Sequence, residues 1–84
     1  MKKIEIYTKS YCPYCHRAKG LLQSKNATFI EYDLTVDPGK EQEMRERSGR
    51  TTVPEIFVDD RLIGGCDDLN ALDAAGKLDE TLGL

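Results

Sequence analysis

The first 34 residues switch from a strand pattern to a helix pattern and back, and this switch restricts the possible folds most. Residues 3–8 alternate polar and apolar side chains, with Ile4 and Ile6 on one face, as in a β-strand. Pro13 suits the first position of a helix, and apolar side chains then recur at helical spacing to about Lys25. A second strand pattern covers residues 28–34. Two strands joined by a helix favour a parallel pair, because parallel pairing needs a long crossover.

The middle of the chain predicts a second helix and a hairpin. Asp37-Pro38 is a typical cap and first residue for a polar helix that runs to Ser48 and is stopped by the following glycine. Short apolar runs at 54–58 and 61–63 flank Asp59-Asp60, which is a two-residue turn signal. We therefore expect two antiparallel strands here.

A last helical region follows Gly64-Gly65. Asp67 or Asp68 can cap a helix that ends at Gly76, and one more helical turn can follow it. The apolar side chains of this region are Leu69, Leu72, Ala75, Leu78 and Leu82. The order β-α-β, α, β-hairpin, α predicts an α/β fold in which helices flank a small mixed sheet.

Length and charge exclude several classes of protein. A chain of 84 residues predicts one domain, residues 1–84, with a modest core. The net charge of −3 does not favour a nucleic-acid partner. No apolar run reaches the length of a membrane span, and the N-terminus does not resemble a signal peptide. The odd number of cysteines, 3, argues against a secreted disulfide framework. We expect a soluble, cytoplasmic protein without a membrane partner.

Cys12-Pro13-Tyr14-Cys15 joins the first strand to the first helix. A cysteine at a helix N-terminus faces unpaired backbone N–H groups and the positive end of the helix dipole, and both favour the reactive thiolate. Three cations are close in sequence, namely Lys9, Arg17 and Lys19. Cys12, at the exposed edge, is predicted to attack a disulfide, and Cys15, one turn inside the helix, to resolve the mixed disulfide.

The cysteine pair has two alternative interpretations, an inert pair in the core and a zinc site. Free cysteines often lie inertly in cores, but a Cys-x-x-Cys next to a βαβ pattern is a specific redox signal. A zinc site usually needs four ligands, and only Cys66 and His16 could complete one. His16 is interpreted as a surface helix residue, so no metal is expected.

Three motifs in register resemble those of dithiol glutaredoxins over essentially the whole chain. They are Cys12-Pro13-Tyr14-Cys15, Thr52-Val53-Pro54 and Gly64-Gly65-Cys66-Asp67-Asp68. The resemblance is closest to the short bacterial glutaredoxins of the third type, in which a cysteine follows the double glycine. It implies a thioredoxin-like fold with a four-stranded mixed sheet, and glutathione as the reducing co-substrate.

The resemblance also implies a glutathione site. Val53-Pro54 resembles the family's cis-proline step, which would leave the Val53 backbone free to pair with the cysteinyl part of glutathione; an ordinary trans proline is the alternative. The N-terminus of the last helix resembles the γ-glutamyl site, where N–H donors meet the carboxylate and an aspartate meets the ammonium group. Lys9 is similar to the lysine that meets the glycyl carboxylate, and Tyr14 would wall the site. The implied residues are Lys9, Tyr14, Thr52, Val53, Pro54, Gly65, Cys66, Asp67 and Asp68.

The expected activity is glutathione-dependent reduction of protein disulfides and of glutathione mixed disulfides by a monomer. By resemblance alone, ribonucleotide reductase is a candidate protein substrate. Two rival functions stay open. One is a redoxin served by thioredoxin reductase, although such proteins usually lack the Gly-Gly-x-Asp segment. The other is a glutathione-assisted iron–sulfur carrier, although such relatives typically have a single cysteine in a Gly-Phe-Ser context.

Overall fold

A computed structural model describes the whole chain, from Met1 to Leu84, as four strands and four helices. In chain order these are β1 (Ile4–Thr8), α1 (Pro13–Ser24), β2 (Ile30–Asp33), α2 (Lys40–Ser48), β3 (Glu55–Val58), β4 (Arg61–Gly64), α3 (Cys66–Ala74) and α4 (Leu78–Leu82). The predicted order of elements is confirmed. No helix combines the length and the apolar character needed to cross a membrane.

The four strands form one mixed sheet in the order β2-β1-β3-β4. β1 pairs with β2 in parallel, with α1 as the crossover, and with β3 in antiparallel fashion. Asp59 and Asp60 connect β3 to β4 with φ angles of 49° and 66°, the left-handed values that a tight two-residue hairpin turn requires. The predicted hairpin and the mixed sheet are both confirmed.

Helices cover both faces of the sheet. α1, α3 and α4 pack on one face against an aliphatic cluster that includes Ile6 and Ile56. On the other face, Met44 of α2 packs with Tyr7 and Phe57. All five residues of β1 are buried as a result, although the sequence pattern marked only the face of Ile4 and Ile6 as apolar.

A partly buried ion pair joins α2 to the sheet beside Met44, which is the only buried residue of this helix. Arg47 donates to the carboxylate of Glu5 at 3.0 Å and lies over the ring of Phe57 at 4.1 Å. Burial raises the pKa of Glu5, but hydrogen bonds from Arg47 and Tyr32 more than offset this and bring the pKa below its usual value.

The predicted cap of α2 was wrong, whereas an aspartate does cap α3, from a position inside the helix. Asp37 and Pro38 lie in a separate turn, in which the N–H of Lys40 donates to the Asp37 carbonyl, and α2 begins only at Lys40. α3 begins at Cys66 with Gly65 as its N-cap residue, and Asp68 caps it from the first turn, because its carboxylate accepts the Gly65 N–H in a capping box.

Candidate active site

Cys12 is the N-cap residue of α1. Its backbone is extended, with φ −92° and ψ 112°, and its Sγ accepts the backbone N–H of Cys15 at 3.2 Å. The sulfur therefore occupies the position where a serine or aspartate oxygen usually caps a helix. A hydrogen bond from a helix terminus strengthens when its acceptor is negatively charged. The predicted placement of Cys12 at a helix N-terminus is confirmed.

Cys15 lies one turn inside the helix, beneath the surface. It is 0% exposed and shares the buried side of α1 with Ala18 and Leu22. Burial, assisted by the hydrogen bond with Cys12, raises the pKa of the Cys15 thiol to about 12. Cys15 is therefore protonated at neutral pH. No disulfide joins Cys12 to Cys15 in the structure.

The segment Val53-Pro54 lies directly beside Cys12. The peptide bond between these two residues is cis. The Cys12 thiol lies 3.8 Å from the Val53 carbonyl oxygen, and the Val53 N–H has no hydrogen-bond partner within the protein. An extended thiol peptide at Cys12 can therefore pair with a free backbone donor, as a strand pairs along a sheet edge.

A groove runs from Tyr14 past Val53 to the N-terminus of α3. Its lining consists of Tyr14, Arg50, Thr52, Val53, Pro54, Glu55, Gly65, Cys66, Asp67 and Asp68. Tyr14 is 54% exposed, and the guanidinium of Arg17 stacks on its ring at 5.3 Å. The structure therefore brings eight of the nine predicted glutathione residues together along one groove.

The far end of the groove is built by the start of α3. The carboxylate of Asp68 accepts the N–H of Gly65 at 2.9 Å. Gly64 has a φ of 126°, and a Cβ there would collide with the Asp68 carboxylate, so glycine is required. Cys66 is 5% exposed and its sulfur contacts the Asn70 amide at 3.4 Å, so its side chain is packed rather than presented to the groove.

Comparison with known proteins decides which family this arrangement belongs to. A sequence model of the family described as "Glutaredoxin" matches residues 4–63. The chain belongs to the glutaredoxin family. It is 60% identical over 82 residues to Glutaredoxin 3 of Escherichia coli K12, covering 98% of this chain and 99% of that protein.

Solved structures agree with the sequence comparison. The solution structure of a glutaredoxin from Brucella melitensis is 50% identical, with a TM-score of 0.82 over 100% of this chain and 94% of that one. A crystal structure of a buckwheat glutaredoxin–glutathione complex is 28% identical, with a TM-score of 0.86 over 98% of this chain and 77% of that one. As a glutaredoxin, the protein is a glutathione-dependent thiol–disulfide oxidoreductase with a thioredoxin-like fold.

Lys9, the ninth predicted residue of the glutathione site, does not line the groove of this glutaredoxin. Its side chain is 29% exposed, and its ammonium lies 3.7 Å from the carboxylate of Glu41 in α2. His16 is exposed, and its Nε2 lies 2.8 Å from the carbonyl of Ser10, so the ring is engaged away from Cys12. Lys9 thus contacts α2, and His16 contacts the loop between β1 and α1.

Sequence reasoning missed two residues that line the groove, Arg50 and Glu55. Glu55 is 1% exposed, and burial raises the pKa of its carboxyl group. The Arg50 guanidinium lies 3.6 Å from Glu55 and 3.7 Å from Asp68. The position of Glu55 inside the apolar run of β3 could have indicated a nearby cation, because a buried glutamate usually has a charged partner.

Proposed function

We propose that Cys12 is the nucleophile of this glutaredoxin, that Cys15 resolves mixed disulfides with proteins, and that the groove beside Cys12 binds glutathione. The observation that carries the proposal is the place of the Cys12 sulfur. It accepts a helix N-terminal N–H at 3.2 Å and lies 3.8 Å from Val53. The reactive sulfur thus lies against a backbone edge on which a thiol peptide can align.

The simpler reaction removes glutathione from a substrate. The Cys12 thiolate attacks the glutathione sulfur of a mixed disulfide, so that a Cys12–glutathione disulfide forms and the substrate leaves as a thiolate that takes up a proton. A second glutathione, as thiolate, then attacks the bound glutathione sulfur. This step releases oxidised glutathione and returns Cys12. One free glutathione is consumed for each substrate thiol released, it leaves joined to the glutathione of the mixed disulfide as oxidised glutathione, and Cys15 takes no part.

The second reaction reduces a protein disulfide with both cysteines. Cys12 attacks one sulfur of the substrate and releases the other as a thiol. Cys15 loses its proton to solvent and attacks Cys12, forming the Cys12–Cys15 disulfide and releasing the second substrate thiol. Two glutathiones then restore the dithiol in succession and leave as oxidised glutathione.

The groove suits the charges of glutathione. The cysteinyl part would pair with the Val53 backbone, and the γ-glutamyl carboxylate would face the N–H groups at the start of α3. The carboxylate of Asp68 would take the γ-glutamyl ammonium. In support, the fold resembles that of a buckwheat glutaredoxin solved as a complex with glutathione. Lys9, whose ammonium lies 3.7 Å from Glu41, would meet the glycyl carboxylate.

The test is turnover of a small glutathione mixed disulfide in the presence of glutathione, glutathione reductase and NADPH. We expect rapid NADPH oxidation that requires both glutathione and this protein. No turnover, together with activity when thioredoxin reductase replaces the glutathione system, would show that the groove is wrongly assigned and would favour the redoxin alternative.

Asp68→Ala should raise the KM for glutathione by about five- to ten-fold and leave kcat nearly unchanged, because one charge-assisted contact to a half-exposed carboxylate is lost. Steady-state kinetics at varied glutathione concentration measure this. Asp73→Ala is the matched control, since Asp73 lies at the other end of α3 and pairs with Lys25 at 3.1 Å. An unchanged KM for Asp68→Ala would move the ammonium contact elsewhere.

We further propose that residues 1–84 act as a single domain and as a monomer in the cytoplasm, where the glutathione pool keeps these thiols reduced. Disulfide-bearing proteins are the partners, with ribonucleotide reductase as one candidate. We propose a cycle without metal, because Cys15 is covered and only Cys12 presents its sulfur at the surface. Visible absorbance after anaerobic reconstitution with iron and sulfide would contradict this.

A further inference from the structure

Glu55 has a buried carboxylate that lacks one hydrogen-bond donor. Its Oε2 accepts the hydroxyl of Thr52 at 2.9 Å, whereas its Oε1 is buried without any hydrogen-bond partner. A buried carboxylate oxygen without a donor is unfavourable, so some group of the site must supply one. Glu55 lines the same groove as Asp68, and no step proposed above uses it.

Arg50 is the nearest cation, and it bonds to neither neighbouring carboxylate. One of its guanidinium nitrogens lies 3.6 Å from the orphaned oxygen of Glu55 and 3.7 Å from Asp68. Both distances exceed that of a hydrogen bond, and the Arg50 side chain is 48% exposed, so it is free to move. A shift of about 0.7 Å toward Glu55 would complete a hydrogen bond there.

The γ-glutamyl ammonium and the Arg50 guanidinium would compete for the carboxylate of Asp68. If glutathione binds as proposed above, its ammonium approaches Asp68 from the groove and repels the guanidinium beside it. Without a second anion, Arg50 would have to leave for solvent or stay and compete for Asp68. Glu55 offers that second anion, already desolvated and lacking one donor.

We propose that Glu55 is a positioning residue that determines the affinity for glutathione through Arg50. It draws the guanidinium away from Asp68 when the ammonium group of the γ-glutamyl end binds, and so keeps this end of the groove open. The inference rests on the proposed function, because it requires the ammonium to bind at Asp68. In the complex, the Glu55–Arg50 pair and the Asp68–ammonium pair each carry balanced charge.

The test is a pair of conservative variants that separate charge from shape. Glu55→Gln keeps an oxygen for the Thr52 hydroxyl but removes the charge, so Arg50 is left with Asp68 alone. We expect the KM for glutathione to rise about five-fold, an effect typical of one partly exposed ion pair, with kcat unchanged. Glu46→Gln, on the exposed face of α2, is the matched control.

Removal of the competing cation should rescue the defect. In Arg50→Gln/Glu55→Gln, Asp68 is free again, and we expect the KM to return to within about two-fold of the wild-type value. Arg50→Gln alone removes the cation that competes for Asp68, so we expect its KM for glutathione to be no higher than the wild-type value. A purely structural role of Glu55 would not be rescued in this way.

Three results would overturn the inference. The first is an unchanged KM in Glu55→Gln. The second is a double variant whose KM is no lower than that of Glu55→Gln. The third is a raised KM in Arg50→Gln alone, which would make Arg50 a direct ligand of glutathione. If Asp68→Ala raises the KM and Glu55→Gln does not, this inference fails and the proposed binding mode stands. If Asp68→Ala has no effect on the KM, both the proposed binding mode and the role of Glu55 are refuted.

Discussion

Cys12→Ser should abolish both deglutathionylation and protein disulfide reduction. A serine hydroxyl at the N-cap can still accept the Cys15 N–H, so the helix and the groove keep their geometry. The hydroxyl is not ionised at neutral pH, however, and it cannot form the mixed disulfide through which both reactions pass. We expect turnover to fall on the order of 10³-fold or more, as when other enzymes lose their nucleophile.

Turnover of a glutathione mixed disulfide and reduction of a protein disulfide, both coupled to NADPH oxidation, measure this loss. The matched control is the same substitution three residues later, Cys15→Ser, because it removes one thiol of the motif and keeps the nucleophile. Circular dichroism shows whether each variant is folded. Appreciable residual turnover in folded Cys12→Ser would rule out Cys12 as the nucleophile and point to another thiol.

The elements around the nucleophile could be predicted because their signals are local. Pro13 marks the first residue of α1, and the cap position of Cys12 follows from its place directly before that proline. Asp59 and Asp60 likewise specify a tight turn by themselves. Each of these features depends on a few consecutive residues, so no knowledge of the rest of the fold is needed.

Burial in β1 could not be predicted because it depends on distant elements. The alternating pattern of this strand indicates one apolar face. α2 covers its other face and is fixed there by the contact of Arg47 with Glu5 rather than by an apolar stripe. A pair separated by 42 residues leaves no periodic signal in the sequence, so the burial of Glu5 was missed.

The arrangement of Arg50, Glu55 and Asp68 was missed for the same reason. Glu55 lies opposite Tyr7 in the sheet, and Asp68 arrives beside it only through β4 and the start of α3. The motif Thr52-Val53-Pro54 identified this segment of the groove, but it did not indicate that charged residues lie beside it. The family resemblance therefore predicted eight of the ten residues that line the groove, and the structure added the charged pair Arg50 and Glu55.

The buried resolving thiol leads to the second large effect, a separation of the two activities by Cys15→Ser. The pKa of Cys15 is raised to about 12 by burial and by its hydrogen bond with Cys12. Once Cys12 is tied in a mixed disulfide, its sulfur carries no charge, so the part of the shift that comes from Cys12 disappears. Cys15 therefore becomes a better nucleophile at the stage when it is needed.

Cys15→Ser should keep deglutathionylation within about two-fold of the wild-type rate, because a second glutathione releases Cys12 in that reaction. Reduction of a protein disulfide should fall on the order of 10²-fold, since the resolving nucleophile is lost. Mass spectrometry should then show a persistent mixed disulfide between Cys12 and the substrate protein, which excess glutathione releases. An equal loss of both activities would refute the separate roles, because it would mean that Cys15 supports Cys12 in its first attack.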